Sequence, residues 1–379
     1  MGSFEITLGV LSLVYSCFVW WCMAGWKAIP EFIPEQSDAG TMLTVIIPAR
    51  NEEKNISACL VSLAGQDFPN DRYEVIVVDD DSTDTTCDRV NEFMKSHPGF
   101  HCTLVPLKIR QGEAYPYKKQ AITQAIGLAT GKLILTTDAD CLLPPRWLYT
   151  IAAFYQKDHP VFISAPVLLS GEKTFLGKIQ SLEFAGLIGI GAASVQQGNP
   201  MMCNGANLAY EKDAFVKSGG YGSNTMASGD DTQLMLNLAR QKAGRISFLK
   251  SADSCVSTSG KESFSELIQQ RIRWSSKIPS QMSGTTVFVA IVAYLLHAGL
   301  LAGLLSGYLF SPVLIAAWLM KAVSEFGLLF MLTGFFNKRN LLWYFLPAQL
   351  IYPFYITLTG ILAVKGTYRW KGRKQAIHA

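Results

Sequence analysis

At 379 residues the chain is more than twice a typical domain of about 150, so one catalytic-sized domain with further material is expected. Lys+Arg 33 against Asp+Glu 29 leaves a net charge of +4, too mild for the clustered basic face of a nucleic-acid binder, and no nucleic-acid partner is expected. Charged residues make up 16% of the chain and apolar ones 49%, where soluble proteins carry about 25% charge, so charge has been removed locally, and the depleted regions are the two ends.

Eight cysteines (17, 22, 59, 87, 102, 141, 203 and 255) form no CxxC pair, which fits neither a zinc site nor a small disulfide scaffold; a reducing compartment is expected. Ile6 to Trp26 runs 21 residues without a charge, close to the ~20 that cross a hydrocarbon core, with Trp20, Trp21 and Trp26 at its far end. It lacks a positive n-region and a small-residue cleavage site, which reads as an uncleaved anchor, and Lys27 directly after it points the next segment to the cytoplasm.

From Thr41 the pattern becomes short apolar runs between polar stretches of helical spacing. The runs 44–49, 74–79, 102–107, 132–137 and 161–166 read as strands, and Glu52 to Gly65, Asp84 to Lys95 and Pro116 to Thr130 as helices. This is a βαβ series with a parallel sheet and right-handed crossovers, and such sheets bind ligands beyond the carboxyl ends of their strands. The polar residues fall there. Pro48-Ala49-Arg50-Asn51-Glu52 follows the first strand, Asp79-Asp80-Asp81-Ser82-Thr83-Asp84 the second, and Asp138-Ala139-Asp140 the fourth. Five or more carboxylates on one rim repel one another unless cations or ligand donors occupy the site. A divalent ion answers that need, because Asp-x-Asp at a strand end directs oxygen toward a hard cation that keeps waters and bridges phosphates, as Mg2+ or Mn2+ does.

Further on, Gly229-Asp230-Asp231 opens an apolar helical run, and Gln270-Arg271-Ile272-Arg273-Trp274 precedes a second uncharged region. Thr285 to Met320 contains no Asp, Glu, Lys or Arg, and at 1.5 Å rise per residue its roughly 54 Å exceeds one crossing of ~30 Å. Ser306-Gly307 and Ser311-Pro312 mark the break, giving spans near 285–308 and 312–336. Within the second of these, Lys321 and Glu325 stand one helical turn apart and are expected to pair. A last apolar stretch, Leu341 to Val364, has basic flanks and prolines at 347 and 353; a fourth crossing would carry Lys365, Arg369, Lys371, Arg373 and Lys374 outside, against the positive-inside rule. A re-entrant or interfacial hairpin over 341–364 is therefore expected, returning the tail to the cytoplasm. The chain then divides into an anchor (1–27), a cytoplasmic domain (41–283) ending in an interfacial helix, a membrane region of two to three segments (284–366) and a basic tail (367–379).

Taken in order over about residues 42–280, the PxxNE entry strand, Asp-Asp-x-Ser loop, Asp-x-Asp motif, acidic pair and QxxRW resemble the family 2 glycosyltransferases. That resemblance implies an α/β domain of the GT-A type flanked by transmembrane helices. It also implies a nucleotide-diphosphate sugar donor, UDP-linked by preference. Pro48, Arg50, Glu52, Asp79, Asp80, Lys119, Asp138, Gln270 and Arg273 are then expected at the nucleotide-sugar, with Lys118 also able to meet the diphosphate. Asp138 and Asp140 are expected to hold the metal, and Asn207 and Trp274 to face the acceptor. Asp81 stands where the family usually has glycine, which puts the local turn in question; aspartate tolerates unusual backbone angles better than most residues.

Asp231 is expected to be the general base of an inverting displacement. A free aspartate near pKa ~3.9 is a weak base, and like charge on Asp230 would strengthen it. Capping of the helix start by the same pair is compatible with that role. The helix 175–190 is unusually apolar and either packs internally or skims the membrane. The tail Tyr368-Arg369-Trp370-Lys371-Gly372-Arg373 is similar to tails of ceramide and carotenoid-type glycosyltransferases. Two or three C-terminal segments leave little material for a polymer channel, which favours a single sugar passed to a membrane lipid at the cytoplasmic leaflet of the inner or plasma membrane. A small processive polysaccharide synthase is the alternative. A catalytically silent nucleotide-binding scaffold is a third reading, opposed by the intact Asp138, Asp140, Asp231 and Arg273.

Overall fold

The computed structural model describes residues 2–35, 40–107, 117–221, 230–275, 282–307, 311–364, 367–370 and 373–376. The side chains of Tyr117, Asp230, Val364 and the tail lie outside the described set, as do Gly229, Pro116, Lys365 and Lys371, which the sequence reading had named. In chain order the elements are α1 (Ser3–Ala28), β1 (Leu43–Ala49), α2 (Ile56–Ala64), β2 (Tyr73–Asp79), α3 (Thr86–Ser96), β3 (Cys102–Pro106), α4 (Tyr117–Leu128), β4 (Leu133–Thr136) and α5 (Trp147–Asp158). Next come β5 (Phe162–Ser164), β6 (Val167–Ser170), α6 (Phe175–Gln196), β7 (Leu208–Glu211), α7 (Lys212–Lys217), α8 (Asp230–Arg240), β8 (Ile246–Phe248), β9 (Val256–Ser259) and α9 (Phe264–Ser275). The chain closes with α10 (Gly284–Leu305), α11 (Pro312–Phe335), α12 (Phe345–Val364), β10 (Thr367–Trp370) and β11 (Arg373–Ala376). It divides into two compact units, one of Ile29–Ser170 and Met202–Ser259, the other of Met1–Ala28, Gly171–Met201 and Gly260–His378.

The first unit is a mixed α/β layer structure around a seven-stranded sheet of order β3-β2-β1-β4-β7-β5-β8. The strands β1 to β4 are parallel, β7 is antiparallel to both β4 and β5, and β8 is parallel to β5. β1 and β2 are buried almost throughout, as strands with helices on both faces must be, which is why they read as continuous apolar runs rather than alternating ones. Register pairs Ala49 with Asp79 and Asp79 with Pro106, so three strand ends and the turn after Thr136 come out on one rim. A buried hydrogen-bond set fixes the opposite edge: Thr44 Oγ1 donates to Glu74 Oε1 at 2.7 Å and accepts from the Gly131 N–H at 2.9 Å.

The second unit is helical. α1, α10, α11 and residues 339–363 are each long and apolar enough to cross a membrane. α6, read from sequence as either internal or membrane-skimming, belongs to this unit, with Ala193 against Gly25 of α1 and Leu332 of α11 against Gly189. Inside it, Lys321 is fully buried and donates to Glu325 Oε2 at 2.8 Å and to Gln349 Oε1 at 2.9 Å. Gln349 returns a bond to Glu325 at 2.7 Å and the Tyr15 hydroxyl another at 2.6 Å, so the expected Lys321–Glu325 pair is joined by α1 and α12. Ion pairs buried among apolar helices need this full complement of partners to offset desolvation.

The hairpin expected over 341–364 does not form: α12 is one helix with Pro353 in its interior. Pro347 lies in the first turn, where a missing N–H costs nothing, so only Pro353 removes a helical bond, and one such loss is tolerated between packed helices. β10 nevertheless lies beside α9, and β10 and β11 pair antiparallel.

Gly131 gives a test of the sheet edge. A Cβ there would sit 2.5 Å from the Thr44 nitrogen and 2.6 Å from the Leu43 carbonyl carbon, both backbone, whereas one at Gly127 would meet nothing within 4 Å. Gly131→Ala is expected to destabilise the chain by about 1–3 kcal/mol, as overpacking does, and Gly127→Ala to be neutral or stabilising by up to about 1 kcal/mol. Thermal unfolding of the two purified variants checks the ordering.

Candidate active site

The rim of the α/β unit is built by turns that the strand ends force. Arg50, just past β1, is buried and its guanidinium reaches across to the β2 turn, where Nη1 donates to the carbonyl of Asp80 and, at 2.7 Å, to that of Asp81. The carboxylates of the same residues lie at 3.9 and 3.7 Å. Arg50, expected at the nucleotide, holds the acidic turn closed through these bonds. Glu52 is likewise turned inward, its Oε2 accepting from Asn55 Nδ2 at 2.8 Å, while its own N–H donates to Thr86 Oγ1 at 2.8 Å and so ties the β1 turn to the start of α3.

Asp81 has φ 53°, the left-handed region that favours glycine. The turn geometry that the departure from glycine put in question is thus kept, by a residue that tolerates it. Asp79 Oδ2 accepts from the Ser82 N–H at 3.2 Å, and its Oδ1 is buried without a hydrogen-bond partner among the described residues. Asp79 also lines a cavity of 380 Å³ with Cys87, Asn91, Met94, Cys102 and Pro106. Burial, together with the neighbouring Asp79 carboxylate, pushes the Cys87 thiol up to about 11.

After β4 the Asp-x-Asp turn carries Asp138 and Asp140. The Lys118 ammonium rests 2.6 Å from Asp138 Oδ1, both groups partly exposed. Lys119, expected at the donor, is buried and donates to Gln233 Oε1 of α8 at 3.1 Å. Beside that turn Cys59 and Cys141 are buried, and burial with the nearby Asp138 and Asp140 carboxylates holds both thiols well above their ordinary range. The donors at the turn are therefore hard oxygens, the set that suits Mg2+ or Mn2+. Among the described residues no three His, Cys, Asp or Glu side chains converge on a metal position, so the two carboxylates would share an ion with ligand oxygens and water.

Asp231, on the first turn of α8, accepts from the Gly205 N–H at 2.8 Å through Oδ2 and from the Thr232 N–H at 2.9 Å through Oδ1. The Gly205 carbonyl in turn accepts from Thr136 Oγ1 at 3.1 Å. One peptide segment thereby latches the Asp231 carboxylate to the end of β4, two residues before Asp138. A Cβ at position 205 would lie 3.2 Å from Asp231 Oδ2. The latch at Gly205 depends on the β4–β7 pairing, which the sequence does not display.

Asn207 corrects an expectation. It was placed at the acceptor, but it is fully buried: its Oδ1 accepts from Trp147 Nε1 at 2.9 Å and its Nδ2 donates to the carbonyls of Pro166 at 2.7 Å and Ser254 at 2.8 Å. Both amide hydrogens are used, so it braces β7 against α5 and β6.

In the helical unit α9 carries Gln270, Arg273 and Trp274. Trp274 lies half-buried beside Phe184, ring centroids 6.3 Å apart, with the Arg271 guanidinium 4.2 Å from its ring centre. Gln270 Oε1 accepts from Arg271 Nη1 at 3.1 Å.

The family model described as glycosyl transferase family 2 matches residues 44–219, and that described as glycosyl transferase family group 2 matches residues 133–358, more than half of the chain. Among relatives, a beta-monoglucosyldiacylglycerol synthase of Synechocystis is 24% identical over 294 residues, 73% of this chain and 59% of that one. The poly(ribitol-phosphate) beta-N-acetylglucosaminyltransferase TarS of Staphylococcus aureus is 36% identical over 119 residues, 31% of this chain and 19% of that one. The chain thus spans less than two thirds of the length of these curated relatives. The solved mannosyltransferase PcManGT of Pyrobaculum calidifontis, in complex with GDP-Man and Mn2+, superposes with a TM-score of 0.58 at 20% identity, covering 96% of this chain and 98% of that one, a likeness of fold.

The left-handed turn at Asp81 yields a test that needs no ligand. Glycine removes the steric cost of φ 53° and a β-branched residue raises it. Asp81→Gly is expected to hold or raise the unfolding midpoint, and Asp81→Val to lower stability by about 1–2 kcal/mol.

Proposed function

Because the chain belongs to glycosyltransferase family 2, we propose that it passes a single sugar from a nucleotide-diphosphate donor, UDP-linked by preference, to a hydroxyl of a membrane lipid. The observation that carries this reading is the latch through Gly205, which holds the Asp231 carboxylate beside the end of the strand that leads into Asp138 and Asp140. A base and an oxygen pair suited to a diphosphate-bound cation then share one rim, the combination that displacement at an anomeric carbon needs.

In this reading Asp231 takes the proton of the acceptor hydroxyl as its oxygen attacks from the face opposite the leaving group, and the product is inverted. The two N–H groups that Asp231 accepts fix its oxygens in place, which reduces reorganisation during proton transfer. Asp79, one of whose buried oxygens has no hydrogen-bond partner among the described residues, suits the base or ribose of the nucleotide. Asp138 and Asp140 would hold Mg2+ or Mn2+, and a bound ion would neutralise charge developing on the departing diphosphate. Lys118 lies within reach of the same charge, and its ammonium balances Asp138 before a donor arrives. By the resemblance, Gln270 and Arg273 serve the donor and Trp274 the acceptor. Four helices of membrane-crossing length, and a relative named for glucosylating diacylglycerol, support a lipid acceptor. Lys27, in the last turn of α1, supports a rim facing the cytoplasm by the positive-inside rule.

A panel of UDP- and GDP-sugars with Mn2+ or Mg2+ and mixed membrane lipids, scored by release of nucleoside diphosphate and by labelled lipid product, tests the reading. One donor is expected to label lipid; labelled material of polymer size would instead mark a processive synthase. In that assay Asp231→Asn is expected to lower transfer by about 10²–10⁴-fold while nucleotide binding, measured by calorimetry, changes less than threefold. Retained turnover in this variant would remove Asp231 from the base role.

A further inference from the structure

The QxxRW helix holds an arginine that its motif leaves unspecified. Arg271 is buried on α9, and every nitrogen of its guanidinium is engaged. Nη2 donates to Glu183 Oε2 at 2.7 Å and Nε to Glu183 Oε1 at 3.2 Å, a two-pronged ion pair with α6. Nε also donates to the Tyr355 hydroxyl of α12 at 2.8 Å, and Nη1 to Gln270 Oε1 at 3.1 Å. The face of the same plane lies against Trp274, 4.2 Å from the ring centre. Residues three apart on a helix are neighbours, so Arg271 reaches Trp274 along the α9 surface while it reaches Gln270 beside it.

Two side chains of the motif are thus oriented by one group, which is itself held by two other helices. A buried ion pair is weak evidence for stability, and its better-attested use is to fix one geometry among several. The planar fork is what permits it: a lysine in this place supplies the charge without the two-pronged bond or the flat face on the indole.

We propose that Arg271, locked by Glu183 and Tyr355, is a positioning residue that presets Trp274 for the lipid headgroup. The proposal rests on the acceptor reading above and adds a residue outside the motif that sets acceptor recognition. The guanidinium thereby fixes the tilt of the indole against which the headgroup packs. Turning the guanidinium therefore misplaces the platform, while Asp79, Asp138 and Asp231 keep their own contacts within the α/β unit.

The test uses the full-length chain in lipid nanodiscs, with the lipid and donor that the panel identifies. Acceptor KM, donor KM and acceptor-free hydrolysis of the donor are measured for the wild type, Arg271→Lys and Glu183→Gln. Both variants are expected to raise acceptor KM at least tenfold, and Glu183→Gln, which leaves the Arg271–Gln270 bond in place, to keep donor KM and acceptor-free hydrolysis within twofold of the wild type. An unchanged acceptor KM in both, or an equal loss of donor hydrolysis in Glu183→Gln, overturns the proposal. Should both variants fail to give monodisperse protein, Tyr355→Phe carries the test, since it removes one hydrogen bond and leaves the ion pair. At least a threefold rise in acceptor KM is expected, and no rise overturns the proposal. A wild-type chain that hydrolyses donor but labels no membrane lipid overturns the acceptor reading itself, a result distinct from any variant effect.

Discussion

Mutual repulsion among carboxylates is the constraint around which the α/β unit is arranged. A parallel sheet brings the ends of its strands to one edge, and this sequence puts Asp79, Asp80 and Asp81 after one strand and Asp138 and Asp140 after another. Like charges so close raise the cost of ionisation unless cations are interleaved. Among the described residues the Arg50 guanidinium folds over the β2 turn, and the Lys118 ammonium sits on Asp138. The two solutions differ. Arg50 is buried and fixed by backbone carbonyls, a permanent part of the turn, whereas Lys118 makes a partly exposed pair that a competing cation can displace. That difference separates the part of the rim that holds shape from the part that can exchange partners.

The helical unit solves a related problem in an apolar setting. Lys321 and Glu325 would be costly apart, and Gln349 and Tyr15 complete their hydrogen bonds from neighbouring helices. The Arg271–Glu183 pair follows the same rule on α9, with Tyr355 and Gln270 filling the remaining positions. In both places charge under apolar cover fixes which helix faces meet, because only one arrangement satisfies every donor. Small residues do the remaining work: Gly25 and Gly189 leave space for Ala193 and Leu332 to approach.

Much of this could be read from the chain alone, and the failures have physical causes. Strands buried on both faces announce themselves as unbroken apolar runs, so β1, β2 and β4 fell within a residue or two of their expected limits. The break between α10 and α11 followed from length against rise per residue. Asp81 was legible as a departure from glycine, and its positive φ gives the reason glycine is usual there. Asn207 was misread because a polar residue near a motif looks the same in sequence whether it faces a ligand or fills a core; only the three partners around its amide distinguish them. Gly205 carries no sequence signal of its own, because its part is to lack a side chain opposite a residue 26 positions away. The hairpin failed because prolines were counted without their positions, and the first turn of a helix admits one freely.

The claim on which the functional account turns is that the Asp138–Asp140 edge is completed by a divalent ion arriving with a diphosphate. Calorimetric titration of the full-length chain with UDP, with and without Mn2+, measures this directly in the wild type and in Asp138→Asn. The account predicts that Mn2+ tightens UDP binding at least tenfold in the wild type and leaves the variant unchanged. UDP binding of equal strength with and without the ion in the wild type would contradict it.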